Sequence, residues 1–206
     1  MSESLHEPAS AQAPREDPGA EWMLAWIGGD ELAFERIVEA YSGRVWALLT
    51  RFLGPHPGRE DLVQEVFLRV VRARDRYEPR ARFTTWLYRI VFNLAVNETQ
   101  RTGRRALASL EDAGAAGASH ELDDPRGNAP ESDLERDDVV RAVRAAVAEL
   151  PEAQRMALVL AKYEGLPYAE IADVLESSEK AIKSLIHRAR ERLRERLAPF
   201  LEAELA

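Results

Sequence analysis

Apolar residues along this chain recur at intervals of three and four rather than two, in several separate runs, which predicts helices and no sheet. From position 61 the run DLVQEVFLRVVRAR sets Leu62, Val66 and Val70 on one line with Val63, Phe67 and Val71 beside them. Asp61, Gln64, Glu65, Arg69 and Arg72 are left on the opposite side, and Asp61 and Glu65 lie one turn apart near the helix start, where the macrodipole favours acids. A second helix is predicted over residues 84–100, with Leu87, Ile90, Val91, Leu94 and Ala95 as its core line. The pattern stops after residue 105 and resumes at 137 with Val140, Val143, Ala146, Val147 and Leu150. Pro151 then opens a helix carrying Met156, Leu158, Val159 and Leu160 that ends near Gly165, the usual placing of proline and glycine at helix ends. Two short helices follow. The first holds Ile171, Ala172, Val174 and Leu175; after a break at Glu176, Ser177 and Ser178, the second holds Ile182, Leu185, Ile186, Ala189 and Leu193.

That last pair carries the most information. Ser178 is placed to cap the second helix by accepting a bond from an orphaned backbone N–H. The side away from the apolar line offers Lys180, Lys183, Ser184, His187, Arg188 and Arg190. One helix braces while the other presents basic and polar side chains, as a helix-turn-helix must to enter the major groove. A surface helical hairpin with solvated charges has the same periodicity, so this segment alone leaves both readings open.

Charge sharpens the picture once it is mapped. The 206 residues carry a net charge of −8, which alone speaks against free DNA binding, since phosphate neutralisation supplies most non-specific affinity. Residues 1–21 hold five acids and one arginine, and residues 106–138 hold ten acids and two arginines, which leaves the remainder at +4. The basicity gathers at Arg101, Arg104 and Arg105 and between Lys180 and Arg196. The stretch 106–136 is small, acidic and broken by Gly and Pro, which is linker chemistry. Residues 1–20 form a polar tail rich in Pro and Ala, expected to be disordered and unlike a signal peptide. The chain thus divides into that tail, a helical domain over 21–105, a flexible acidic linker over 106–136, a second helical domain over 137–198 and a tail over 199–206. With no cysteine it has neither a disulfide framework nor a thiolate metal site, and no apolar run reaches the ~20 residues a membrane span needs.

The helix over 84–100 has a second face of Trp86, Arg89, Asn93, Asn97 and Gln100 at spacings of three and four. Asparagine is a poor helix former, so two of them one turn apart cost stability without an evident packing gain. An aromatic beside amides suits unstacked bases, by stacking and edge hydrogen bonds, although Trp86 suits core packing equally. The loop before it carries Arg74, Arg76, Arg80 and Arg82 with Tyr77 and Phe83, and Arg101 follows it. A basic loop, an aromatic–amide face and a basic exit would cradle a single strand.

The segments DLVQEVFLRVV, FTTWLYRIVFNLAVN and LPEAQRMALVL…EGLPYAEIADVL…AIKSLIHRARERL, in this order and spacing, resemble those of a bacterial sigma factor, most of all the small two-domain extracytoplasmic-function group. The resemblance covers residues 21–105 and 137–197. It implies an all-α protein of two small helical domains, a sigma-2-like bundle and a sigma-4-like helix-turn-helix domain, joined by the acidic linker. By the same resemblance Asp61, Gln64 and Glu65 would bind core RNA polymerase at the β′ clamp helices, and the second domain would meet the β flap. Tyr77, Arg80, Arg82, Trp86, Asn93, Asn97 and Arg101 would open and hold minus-10 DNA. Ser178, Lys180, Lys183, Ser184, His187, Arg188 and Arg190 would read the minus-35 duplex. It implies a cytoplasmic protein whose partners are core polymerase, promoter DNA and an anti-sigma factor, with no cofactor, no metal and no membrane insertion. It would also settle the charge paradox, because the polymerase supplies most of the affinity for DNA.

Two departures from the family pattern bear on the second domain. Glu176 stands in a turn where the family commonly has glycine, and Pro167 stands where a capping Ser or Thr is common; both affect the pose of the reader helix. A stand-alone helix-turn-helix regulator would share the C-terminal pair but leave residues 22–104 unexplained. An enzyme is disfavoured: there is no phosphate-cradling glycine loop and no nucleophile–base pair, and His6, His56, His120 and His187 are scattered.

Overall fold

Side-chain caps and a left-handed glycine mark several of the helix boundaries. The computed structural model describes residues 17–112 and 131–203, with side-chain surroundings for 17–105 and 139–200. Helices α1 (Gly19–Ile27), α2 (Glu31–Leu53), α3 (Arg59–Arg72) and α4 (Phe83–Asp112) form the first domain, with a short 3₁₀ turn at Arg74–Arg76. Helices α5 (Glu131–Ala148), α6 (Glu152–Val159), α7 (Tyr168–Val174) and α8 (Glu179–Ala203) form the second. Among the described residues there is no strand. Asp30 caps α2 by accepting from the Leu32 amide at 3.1 Å, and Ser178 caps α8 by accepting from the Ala181 amide at 3.2 Å, as its position suggested. Helix α6 runs into a π-type turn at Leu160–Glu164 that stops at Gly165, whose φ of 64° is left-handed and suits glycine.

In the first domain α2 is the central helix, burying Ile37, Tyr41, Val45, Leu48, Leu49 and Phe52 against α1, α3 and α4. Leu62, Val66, Phe67 and Val70 of α3 and Leu87, Val91, Leu94 and Ala95 of α4 complete that core. In the second domain Ile171, Ala172 and Val174 of α7 meet Ile182, Ile186 and Ala189 of α8, with α6 packed on α8 behind them. Each fully buried side chain of this size removes enough apolar surface to contribute about 1.5–3 kcal/mol.

Three expected boundaries shift. Helix α4 continues to Asp112 and α5 begins at Glu131, so helix occupies both ends of the stretch read as linker, whose middle, 113–130, lies outside the described residues. Helix α8 runs through Pro199 to Ala203, past the start expected for the C-terminal tail. Asp17, placed in the N-terminal tail, is an anchor: its carboxylate accepts from the Tyr41 hydroxyl at 2.6 Å and from the Thr84 amide and hydroxyl at 3.2 and 3.0 Å. It thereby caps the start of α4 from 67 residues away. The next turn is close-packed, since a Cβ on Gly19 would lie 2.2 Å from the Phe83 ring. The rest of the expected tail, residues 1–16, lies outside the described residues.

Candidate nucleic-acid and polymerase interfaces

Burial of Ile182, Ile186 and Ala189 fixes the rotation of α8 and turns Lys180, Lys183, Ser184, His187, Arg188 and Arg190 to solvent together. Lys183 pairs with Glu179 at 3.1 Å and His187 with Glu191 at 3.2 Å, both one turn apart and exposed, so each pair contributes little to stability. Ser184 donates back to the Lys180 carbonyl at 3.2 Å. The turn before α8 is the strained one: Glu176 has φ 50°, a left-handed conformation that costs a non-glycine residue roughly 1–2 kcal/mol. Pro167 precedes α7 in extended conformation and supplies no capping bond. The helix-turn-helix forms despite both departures.

The second surface is the edge of α4. Asn93 and Asn97 are exposed one turn apart, and among the described residues neither side chain makes a hydrogen bond. Trp86 is half-buried; its ring sits 4.9 Å from that of Tyr77 and 5.5 Å from that of Phe83, so it is wedged into the core with one edge outward. Tyr77, expected as a loop aromatic, lies inside the core at 7 % exposure, and burial pushes its phenol pKa up. Its ring supports Trp86 from below; an aromatic in a basic loop looks like a contact residue by sequence, and only the fold turns it inward. Arg82 pairs with Asp17 and with Glu170 of α7, each at 3.5 Å, and Arg80 pairs with Glu78. Arg101 donates to Glu98 at 2.8 Å, and His56 approaches the same carboxylate oxygen at 3.4 Å. That hydrogen bond from Arg101, helped by its charge, holds the Glu98 carboxyl below the usual range. Arg74 is structural: it donates to the Trp26 carbonyl and stacks over the Trp26 ring at 4.5 Å.

The third surface is the outer side of α3. Asp61 and Gln64 are exposed, as expected. Glu65 accepts from Arg69 at 3.0 Å and Arg72 at 3.2 Å, and the Arg69 bond is the main cause of its lowered pKa. Val71, read as part of the apolar stripe, is instead 41 % exposed, and Leu68 is 49 % exposed. At about 100° per residue Val71 stands half a turn from Leu62, with Gln64 between it and Leu68. The outer face of α3 therefore carries carboxylate, amide and aliphatic groups side by side.

Residues 37–105 match the family model described as Sigma-70 region 2, and residues 140–193 match that described as Sigma-70, region 4. The chain belongs to the sigma-70 family. Region 2 spans most of α2, α3 and the described side chains of α4; region 4 spans the helix-turn-helix. The RNA polymerase sigma-H factor of Pseudomonas aeruginosa is 36% identical over 176 residues, covering 84% of this chain and 90% of that one. The ECF RNA polymerase sigma-E factor of Escherichia coli K12 is 34% identical over 179 residues, covering 84% and 91%. CnrH, solved in complex with the cytosolic domain of CnrY, shares the fold at a TM-score of 0.63 and 23% identity over 89% of this chain and 99% of that one. The sigma factor RpoE of Bartonella quintana, solved with the anti-sigma factor NepR, does so at 0.59 and 23% over 80% and 96%. As a sigma factor the protein is a DNA-binding component of promoter-specific transcription initiation.

Proposed function

We propose that this sigma factor divides the promoter between its two domains. The exposed face of α8 reads the minus-35 element as duplex. The α4 edge with Asn93, Asn97 and Trp86, together with Arg82 and Arg101, takes the melted minus-10 strand. The outer face of α3, with Asp61, Gln64 and Glu65 extended by Leu68 and Val71, docks on core polymerase. The observation that carries this reading is the rotation of α8: burial of Ile182, Ile186 and Ala189 leaves one continuous basic and polar face. Side chains near the start of a recognition helix reach base edges, and later basic ones hold phosphates. Lys180, Lys183 and Ser184 therefore choose sequence, while Arg188 and Arg190 position the helix. The protein acts in the cytoplasm, where polymerase is, and performs no catalysis itself. An anti-sigma protein is a further partner, by likeness to the two solved complexes.

A panel of minus-35 substitutions tested with core polymerase separates the roles. Lys183→Ala should cost about 1–3 kcal/mol at one base pair and relax preference there, whereas Arg188→Ala should weaken all sequences and lower the salt slope by about one. The reverse outcome would place α8 in another register. Binding of promoter DNA without polymerase, undiminished against the holoenzyme, would favour a stand-alone regulator.

A further inference from the structure

A cleft of about 1350 Å³ is lined by the C-terminal half of α2 on one side and by α5, α6 and α8 on the other. Its walls are cationic on both sides. The first domain contributes Arg44, Arg51, Arg59 and Arg82, and the second contributes Arg144, Lys162 and Arg190. The one acid among the described lining residues is Glu164. Its carboxylate is already engaged, accepting from the Tyr88 hydroxyl at 2.6 Å and pairing with Arg51 at 3.7 Å. Arg82 is engaged as well, by Asp17 and Glu170. The other five cations form no ion pair among the described residues. Arg44 and Arg59 lie over the rings of Tyr41 and Trp46, at 5.4 and 5.1 Å, which leaves their charge uncompensated. Mutual repulsion opposes gathering such charges in one recess, the more so in a chain whose net charge is −8. A cleft lined by one sign of charge focuses its field on whatever enters.

The rest of the lining narrows the chemistry of the ligand. Between the cations it is apolar, with Phe52, Val147, Leu158 and Leu193. Tyr163 lines the cleft at 48% exposure, and the Arg51 guanidinium lies over its ring at 4.5 Å. An aromatic ring held by an arginine is a platform on which a base can stack. Arginine forks match pairs of phosphate oxygens. Small-molecule pockets occupy roughly 300–1,000 Å³, so a nucleotide has room here with part of its hydration. A bare phosphate would leave the aromatic and aliphatic lining uncovered.

We propose that this cleft binds a nucleoside polyphosphate. The base lies against Tyr163, and the phosphate chain spans Arg44 and Arg59 on one wall and Arg144 and Lys162 on the other. Binding requires neither polymerase nor promoter, so the site stands or falls apart from the sigma-factor reading. The test is isothermal titration of the full chain at low salt with GTP, ATP and inorganic tripolyphosphate, without divalent cations. Both nucleotides should bind about tenfold tighter than tripolyphosphate, the margin a stacked base supplies, and all three should weaken as salt is raised. Arg144→Gln with Lys162→Gln should weaken both nucleotides about tenfold or more through the lost charged hydrogen bonds. Arg36→Gln with Arg192→Gln removes the same charge outside the cleft and should change nothing. Tyr163→Leu should weaken the nucleotides about tenfold and leave tripolyphosphate as it was. All five positions are exposed, so the helical circular dichroism should be unchanged in every variant. No binding of either nucleotide, or tripolyphosphate bound as tightly as both, would overturn the proposal. So would equal losses in the two double variants, or nucleotide affinity indifferent to Tyr163→Leu. A hexameric single-stranded DNA bound more tightly than the nucleotides, and weakened by the Arg144 and Lys162 variant, would overturn it in favour of a strand-binding cleft.

Discussion

Arg155 offers the largest effect that a single substitution in this fold should produce. Its guanidinium is buried at 7% exposure and bridges two helix ends. It donates to the carbonyls of Ala148 and Leu150, at the end of α5, and at 2.8 Å to the carbonyl of Phe52, at the end of α2 in the other domain. It also stacks over the Phe52 ring at 5.0 Å. Terminal carbonyls of a helix have no intrahelical partner, so one charged side chain closes two such ends at once. Burial lowers its pKa, a sign that desolvating the charge opposes these bonds. Arg155→Ala leaves three acceptors unpaired at about 1–3 kcal/mol each, offset in part by the desolvation no longer required and by water entering the space. A net loss of about 3–5 kcal/mol follows, or a fall in Tm of about 10 °C for a chain of this size. Arg155→Met, which fills the volume but donates nothing, should lose nearly as much. The assay is urea and thermal unfolding by far-UV circular dichroism, with amide exchange at the α5 C-terminus as a local probe. A loss below about 0.5 kcal/mol for both variants, the range of ordinary surface substitutions, would refute the two-ended cap.

Charge reversal at Asp61 with Glu65 should abolish capture of core polymerase and leave the helical signal intact; undiminished capture would remove α3 from the interface. Glu176→Gly should stabilise the second domain by about 0.5–1 kcal/mol, since relief of left-handed strain exceeds the added chain entropy and the loss of a solvated ion pair; destabilisation would mean the turn does not need positive φ. Glu98 has a folded pKa below its ordinary 4.5, so its contribution to stability is complete above that value and is lost as pH falls through the folded one. Glu98→Gln should therefore flatten the stability–pH curve below about pH 4.5 and leave its slope near neutrality unchanged; an unaltered acid limb would show that the Arg101 bond is not made.

The helices and their inward faces were legible because 3.6-residue periodicity is local and strong; the α8 face and the Ser178 cap followed from a dozen contiguous residues. The departure at Glu176 was visible only against the family's usual glycine, and the structure supplies the positive φ that goes with it. What escaped notice depended on contacts far apart in sequence. Asp17 looked like one more acid in a polar tail, yet it caps α4 from across the domain. At Arg155 nothing local shows that two helix ends converge on it. Tyr77 read as a contact aromatic because loop and core aromatics have the same local signature. Val71 was assigned to the stripe by spacing from Val63 and Phe67, but the buried arc of α3 ends before reaching it. The packing of α7 on α4 joins residues 84 and 85 positions apart, so it has no local sequence signature.

The central claim, that this chain confers promoter choice on RNA polymerase through two separate elements, is tested most directly by mapping transcript starts. Bacterial core polymerase and fragmented genomic DNA from the protein's own cell would be transcribed with and without the purified chain, and the 5′ ends sequenced. The chain should add a discrete set of starts whose upstream sequences share two spaced motifs, the upstream one altered in preference by Lys183→Ala. A profile indistinguishable from core polymerase alone, or starts that share only one motif, would contradict it.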